Sequence, residues 1–114
     1  MKSRVFIVQR QHKYDPATSD LVPKYDLSSA VQYGELVYLL SPTAGPFNTD
    51  SIVTELQRKL SDYTDKDYLL LIGNPCLIGW TVAIAAQKTG GLVILLQWSG
   101  KDQRYIPIEA QLYE

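Results

Sequence analysis

The stretch Tyr68-Leu69-Leu70-Leu71-Ile72-Gly73-Asn74-Pro75 decides the fold. Its first five residues form a continuous apolar run, which is typical of a strand that is buried on both faces of a parallel sheet. Gly73 follows at once, Asn74 has a side chain suited to a helix N-cap, and Pro75 suits the first helical position, where a missing N–H costs nothing. The stretch therefore predicts a strand that passes through a tight turn into a helix.

The residues on either side repeat this alternation of strand and helix. The helix that begins at Pro75 ends before Gly90-Gly91, which can adopt the left-handed backbone of a helix stop. An earlier apolar strand ends in Ser41-Pro42, and a helix with one apolar face follows it. The predicted elements are strands near residues 35–40, 68–72 and 92–97, and helices near 50–63 and 75–89. Residues 34–98 thus form a predicted β-α-β-α-β unit, a Rossmann-like parallel core.

The remaining residues complete a single α/β domain of 114 residues. A strand is predicted at 5–9 and an antiparallel strand at 104–109, where Pro107 restricts the strand to an edge or a bulge. Residues 11–33 are predicted to be a long irregular loop with a short helical turn near 27–31. If the three parallel strands are sequential neighbours, both helices cover the same face of the sheet. The loop, a partner or a change of strand order must then cover the other face.

Composition excludes several classes of function. The net charge is −1 and the basic residues are scattered, which disfavours nucleic-acid binding. Cys76 is the only cysteine and His12 the only histidine, so we expect no disulfide, no metal site and no cofactor. The N-terminus lacks a secretory pattern and no apolar run is long enough to span a membrane, so the expected location is the cytoplasm.

The predicted ligand site is the carboxyl edge of the parallel strands, where open α/β sheets bind their ligands. Free N–H groups at the start of the second helix could hold an anion there. The residues after Ile72 lack both the P-loop pattern and the dinucleotide-binding pattern, so a plain helix cap is the favoured interpretation. The candidate ligand-binding residues are Ser41, Thr43, Gly73, Asn74, Cys76 and Ser99.

Catalytic candidates are few. Cys76 falls in the first turn of the second helix, where a thiol can become reactive, but a buried and inert cysteine is the favoured interpretation. His12, in a polar stretch, is expected to be a solvated surface residue. Asp62, Asp65 and Asp67 are expected to form a solvated turn rather than a metal site. The chain is therefore predicted not to be an enzyme.

The second helix is apolar nearly all round, which indicates that it is either fully buried or covered by a second subunit. A chain of this length has few layers with which to bury it, so we expect a homodimer. Aromatic residues in the 11–33 loop could add a binding surface. The candidate interface residues are Tyr14, Tyr25, Leu77, Trp80 and Ile84.

Several segments resemble a group of small phage-encoded α/β proteins without assigned function, over roughly residues 33–107. The similar segments are Tyr33-Gly34-Glu35-Leu36, the stretch from Asp67 to Pro75, Ile78-Gly79, Ala83-Ile84-Ala85-Ala86, Leu96-Gln97-Trp98 and Tyr105-Ile106-Pro107. The resemblance implies a viral accessory protein of the host cytoplasm and supplies no catalytic residue. The expected function is non-enzymatic recognition of a host or viral protein by a homodimer. The alternative is a protein that binds a small ligand, a nucleotide or a phosphate at the carboxyl edge.

Overall fold

The computed structural model of the chain describes residues 2–114. Its strands are β1 (Arg4–Gln9), β2 (His12–Asp15), β3 (Asp20–Pro23), β4 (Glu35–Leu40), β5 (Tyr68–Leu70), β6 (Leu92–Ser99) and β7 (Arg104–Gln111). Its helices are α1 (Thr49–Lys59), α2 (Pro75–Lys88) and a 3₁₀ helix, Ser28–Tyr33. The predicted α/β arrangement of parallel strands and two helices is confirmed, and so are the N-terminal strand β1 and the C-terminal antiparallel strand β7.

The main sheet has five strands in the order β4-β1-β5-β6-β7. The first four are parallel, and β7 pairs with β6 in the antiparallel sense. β1 therefore lies between β4 and β5, so the chain must cross over β1 on its way from β4 to β5. The order of the strands, which the sequence left open, places the carboxyl ends of β1 and β5 next to each other.

Each face of the sheet has its own apolar core. On one face, α1 and α2 pack against alternate strand residues such as Phe6, Val8 and Leu69. On the other face, Val5 and Ile7 pack with the 3₁₀ helix. Both helices thus cover one face, and part of the 11–33 segment covers the other, which was one of the arrangements considered from the sequence.

Several predicted segments differ in extent. β6 and β7 are longer than predicted and end at Ser99 and Gln111 rather than near residues 97 and 109. α1 ends at Lys59 rather than near residue 63, because Leu60 and the residues after it form turns. β5 ends at Leu70 rather than near residue 72, since the Ile72 N–H donates back to the Leu70 carbonyl. The 11–33 segment is not an irregular loop, because it contains the antiparallel pair β2–β3 and the 3₁₀ helix.

The predicted start and stop of α2 are confirmed. The Asn74 Oδ1 accepts a hydrogen bond from the Cys76 N–H at 2.9 Å, and Pro75 occupies the first turn. Gly90 and Gly91 both have positive φ angles, 67° and 101°. α2 buries a wide apolar face against the sheet. On its opposite side it exposes a narrow line of small residues, Cys76, Gly79 and Ala83.

Both edges of the main sheet are blocked against further strand pairing. On β4, the Lys59 ammonium donates to the outward carbonyl of Leu39. On β7, the Tyr105 N–H donates to the Ser29 Oγ at 3.2 Å, and its carbonyl accepts from the Tyr33 hydroxyl at 2.9 Å. Pro107, in the middle of β7, has no N–H to offer a further strand. These are known ways by which proteins protect sheet edges.

At the amino ends of the strands, Asp67 is a structural anion rather than part of a solvated turn. Its side chain is 3% exposed. It accepts hydrogen bonds from the Arg4 N–H at 2.9 Å, the Arg4 Nη2 at 3.0 Å and the Thr64 N–H at 2.9 Å. Asp62 also binds the Arg4 guanidinium, but from the surface. The prediction of a solvated turn was therefore wrong for Asp67, because Arg4 lies close enough to pair with it.

Candidate functional site

An open cleft of about 600 Å³ lies at the carboxyl edge of the main sheet. It is bordered by the ends of β5 and β6, by the start of β7 and by the segment that follows β3. Its lining residues are Lys24, Tyr25, Asp26, Leu70, Leu71, Ile72, Gly73, Leu95, Leu96, Gln97, Trp98, Tyr105 and Ile108. Its volume is in the range of sites that hold a small molecule or an anchoring side chain of a partner.

The cleft opens because neighbouring strands have different lengths. β5 pairs with β6 only at Leu69–Leu95 and Leu70–Leu96, whereas β6 pairs with β7 as far as Ser99–Arg104. Beyond Leu70 the chain turns toward β1, where the Gln9 N–H donates to the Ile72 carbonyl at 3.0 Å. The β6–β7 hairpin therefore continues alone past the end of β5 and forms one wall of the cleft.

That wall is aromatic. The rings of Trp98 and Tyr105 meet edge to face with their centroids 5.0 Å apart, and Trp98 remains 40% exposed. Burial, with smaller effects of Asp26 and Tyr25, raises the pKa of the Tyr105 hydroxyl, so Tyr105 stays neutral at physiological pH. Lys24 and Asp26 give the rim one charge of each sign. The cleft thus suits an apolar or aromatic group more than a strongly charged one.

The crevice between the carboxyl ends of β1 and β5 is filled by Gln9. This is the place where connections leave neighbouring strands in opposite directions, and where open α/β sheets commonly bind ligands. Gln9 is 3% exposed. Its Nε2 donates to the carbonyls of Ser41 at 3.1 Å and Ala44 at 2.8 Å, and its Oε1 accepts from the Asn74 N–H at 3.0 Å. A side chain of the protein itself thus occupies the usual ligand position.

The same contacts leave few donors for an anion at the start of α2. The Asn74 N–H binds Gln9, Pro75 has no N–H, and the Cys76 N–H binds the Asn74 side chain. The Asn74 and Cys76 N–H groups are therefore used within the chain, and the predicted cap is present.

The structure does not gather the six predicted ligand residues into one site. Gly73 borders the cleft. Ser41 and Thr43 contact each other through their hydroxyls at 3.2 Å, in the loop that holds Gln9. The Ser99 Oγ receives the Asp102 N–H at 3.2 Å and closes the β6–β7 turn. Asn74 caps α2, and Cys76 is exposed rather than buried. Ligand binding by these residues stays a prediction.

The catalytic and metal candidates also lie apart. His12 is half-buried at the start of β2 and borders a small hollow of about 40 Å³, while Cys76 begins α2. Within residues 2–114, no group of three or more histidine, cysteine or acidic residues is placed to hold a metal ion. Nor does that part of the chain contain a helix long and apolar enough to cross a membrane.

The predicted interface residues divide into two groups. Leu77 and Ile84 face the sheet in the core of the monomer, because α2 turns this side inward, so they are removed from the surface. Trp80 is half-buried. Tyr14 and Tyr25 are exposed. Tyr25 borders the cleft and also a second groove of about 500 Å³ on the other side of Lys24 and Asp26.

Next to the cleft stands the β2–β3 hairpin, residues 12–23, which we call the arm. It pairs with no strand of the main sheet. At its base, the Lys24 N–H donates a hydrogen bond to the Gln11 carbonyl at 3.0 Å. Tyr14 and Leu21 lie opposite each other in its register. They are 62% and 67% exposed. The arm therefore presents an apolar face beside an apolar cleft.

Sequence analysis missed the role of Gln9 and the cleft wall of Trp98, Tyr105 and Ile108. The sequence did contain a signal for Gln9: it is a polar residue at the end of an apolar strand, and Gly73 follows the end of a second apolar strand. The cleft wall had no comparable signal, because the wall depends on β6 extending beyond β5.

The fold and the cleft define a small α/β protein with an open, aromatic-walled cleft at the carboxyl edge of its sheet. The family model described as Phage Pam3 gp32-like protein matches residues 3–112. The chain belongs to this family, which confirms the predicted likeness to phage-encoded proteins and extends it to the first strand. No curated protein and no solved structure matches the chain.

Proposed function

We propose that this phage protein is a non-enzymatic accessory protein that acts by protein–protein recognition, as a homodimer, in the host cytoplasm. The observation that carries the proposal is the exposed apolar pair Tyr14 and Leu21 on an arm that the rest of the chain does not cover. Large exposed apolar residues that cluster on one surface are typical of sites for a protein partner. The adjoining cleft adds tyrosine and tryptophan, the residues that contribute most to binding energy at interfaces.

A photo-reactive phenylalanine analogue in place of Tyr14 tests this proposal. It should form covalent adducts with protein partners, both in the purified protein and in extracts of infected cells. The matched control is the same analogue at Val31, which is also exposed but lies on the 3₁₀ helix. Mass spectrometry of the adducts identifies the partner. An absence of protein adducts at Tyr14, or equal adducts at both positions, would contradict recognition through the arm.

The second candidate function is binding of a small ligand, and the volume of the cleft favours it specifically. The satisfied first turn of α2 argues for a neutral aromatic ligand, such as a nucleoside, over a nucleotide or free phosphate. If recognition of a protein is the function, nucleosides and nucleotides should leave the melting temperature unchanged. A rise that disappears in a Trp98→Ala variant would instead establish the cleft as a ligand site.

A further inference from the structure

The chain exposes more surface than a compact monomer of its mass. Its accessible surface is 7044 Å², whereas folded monomers of 12.9 kDa expose about 6,300 Å². Its radius of gyration is 14.5 Å, against about 13.3 Å expected for 114 residues. The surplus of about 700 Å² is close to the roughly 800 Å² that each partner buries in a stable interface.

The arm accounts for part of this surplus. None of its described side chains is buried, and a two-stranded hairpin without further support is only marginally stable in water. The arm should therefore gain stability from a surface that receives Tyr14 and Leu21. The cleft beside its base offers such a surface, with Trp98, Tyr105 and Ile108 on one wall.

The charges at the end of the arm and on the β6–β7 turn beside the cleft are complementary. Asp15 and Asp20 lie directly opposite each other at the end of the arm, and like charges in this arrangement weaken a hairpin unless cations balance them. Within the described residues neither carboxylate forms an ion pair. The turn that extends the cleft wall carries two exposed cations, Lys101 and Arg104, against one acid, Asp102, whose carboxylate accepts the Ser99 hydroxyl at 3.2 Å. Within the described residues neither cation forms an ion pair.

We propose that two copies of the chain form a reciprocal dimer in which the arm of each copy lies in the cleft of the other. Tyr14 and Leu21 pack against the aromatic wall, and Asp15 and Asp20 lie beside the β6–β7 turn of the second copy. One twofold axis relates both contacts, so the assembly closes at two chains. This inference rests on the proposed function and names a second copy of the chain as the occupant of the cleft.

Sedimentation equilibrium of the full chain tests the apolar contact. The wild-type protein should be dimeric at micromolar concentrations. The double variant Tyr14→Ser/Leu21→Ser should weaken the dimer by more than about 1,000-fold, since four large apolar side chains, two from each copy, lose their burial. Val31→Ser, the matched control for an exposed apolar residue, should dimerise like the wild type. A monomeric wild-type protein, or a double variant that dimerises normally, would overturn the proposal.

A charge exchange tests the polar contact and does not depend on the apolar variants. Asp15→Lys/Asp20→Lys places cations on the arm, and Lys101→Asp/Arg104→Asp places anions on the turn. Each variant alone should be largely monomeric, because arm and turn then carry the same sign. An equimolar mixture should restore a heterodimer, in which both contacts have opposite charges. Failure of the mixture to associate when both variants are folded would count against the arrangement.

The remaining outcomes separate this inference from the proposed function. If Gly79→Arg abolishes the dimer and the arm variant does not, the copies meet through α2. The reciprocal arrangement then fails while the proposed homodimer stands. If the protein is monomeric but Tyr14 forms adducts with another protein, the inference fails and recognition through the arm stands. Gly79 suits this use because it is exposed and nothing lies within 4 Å of the position that an added Cβ would take.

Discussion

Replacement of Asp67 with alanine should lower the free energy of unfolding by about 3 kcal/mol. The variant would leave the Arg4 guanidinium, the Arg4 N–H and the Thr64 N–H without the carboxylate that now receives them at 2.9–3.0 Å. The loss is large because these groups are partly removed from water and cannot all regain hydrogen bonds. The contact between Arg4 and Asp67 joins residues far apart in sequence, so it also holds the start of β1 against the turn before β5.

The structure provides a matched control for this measurement in Asp62. It binds the same guanidinium at 2.9 Å, but its side chain is 70% exposed. Asp62→Ala should therefore cost less than about 1 kcal/mol. Urea unfolding followed by circular dichroism would measure both variants. Equal losses for the two substitutions would show that burial of Asp67 is not the source of its contribution.

Replacement of Gly73 with alanine should destabilise the protein by about 3 kcal/mol, from backbone strain and overpacking together. Gly73 has a φ of 135°, which residues with a side chain rarely adopt. A Cβ at this position would lie 2.6 Å from the Gln9 Cβ. Since Gln9 is held by hydrogen bonds on both sides of the crevice, it cannot move aside without losing them.

Gly45→Ala is the matched control for Gly73→Ala. No atom lies within 4 Å of its added Cβ, and it lies in the same group of loops. Its effect should be within about 0.5 kcal/mol. Gln9→Gly should recover part of the cost of Gly73→Ala in the double variant, because it removes the Cβ and the Oε1 that the new methyl group would meet at 2.6 and 2.9 Å, while the backbone strain at position 73 remains. Strictly additive losses from Gln9→Gly and Gly73→Ala in thermal or urea melts would contradict a direct contact between the two positions.

The sequence predicted the elements that depend on local chemistry. Continuous apolar runs located the parallel strands, and the Asn74-Pro75 cap with the Gly90-Gly91 stop located α2. The end of β5 was set too late, because the turn at Ile72 depends on a hydrogen bond from the distant Gln9. The arm was missed because β2 and β3 are short and polar at several positions, and they lack the regular alternation of a half-buried strand.

The surface that we propose to be functional was harder to predict than the fold. Tyr14 and Tyr25 were predicted to be interface residues from composition alone; both lie at the surface, on the arm or beside the cleft, and their role stays a prediction. Leu77 and Ile84 were misplaced because an apolar circumference does not reveal which side of a helix meets the sheet. The cleft itself depends on the relative lengths of β5 and β6, a property of three-dimensional pairing that no single segment encodes.

The blocked edges of the main sheet limit how copies of this protein can accumulate. Lys59 of α1, which binds a carbonyl of β4, and Pro107 of β7 disfavour continuation of one main sheet into the next, so the main sheets of two copies are poorly suited to backbone pairing. Association through side chains is then favoured, and the proposed reciprocal contact would occupy both surfaces at once. Copies of the chain that met in this way would form particles of fixed size rather than fibres.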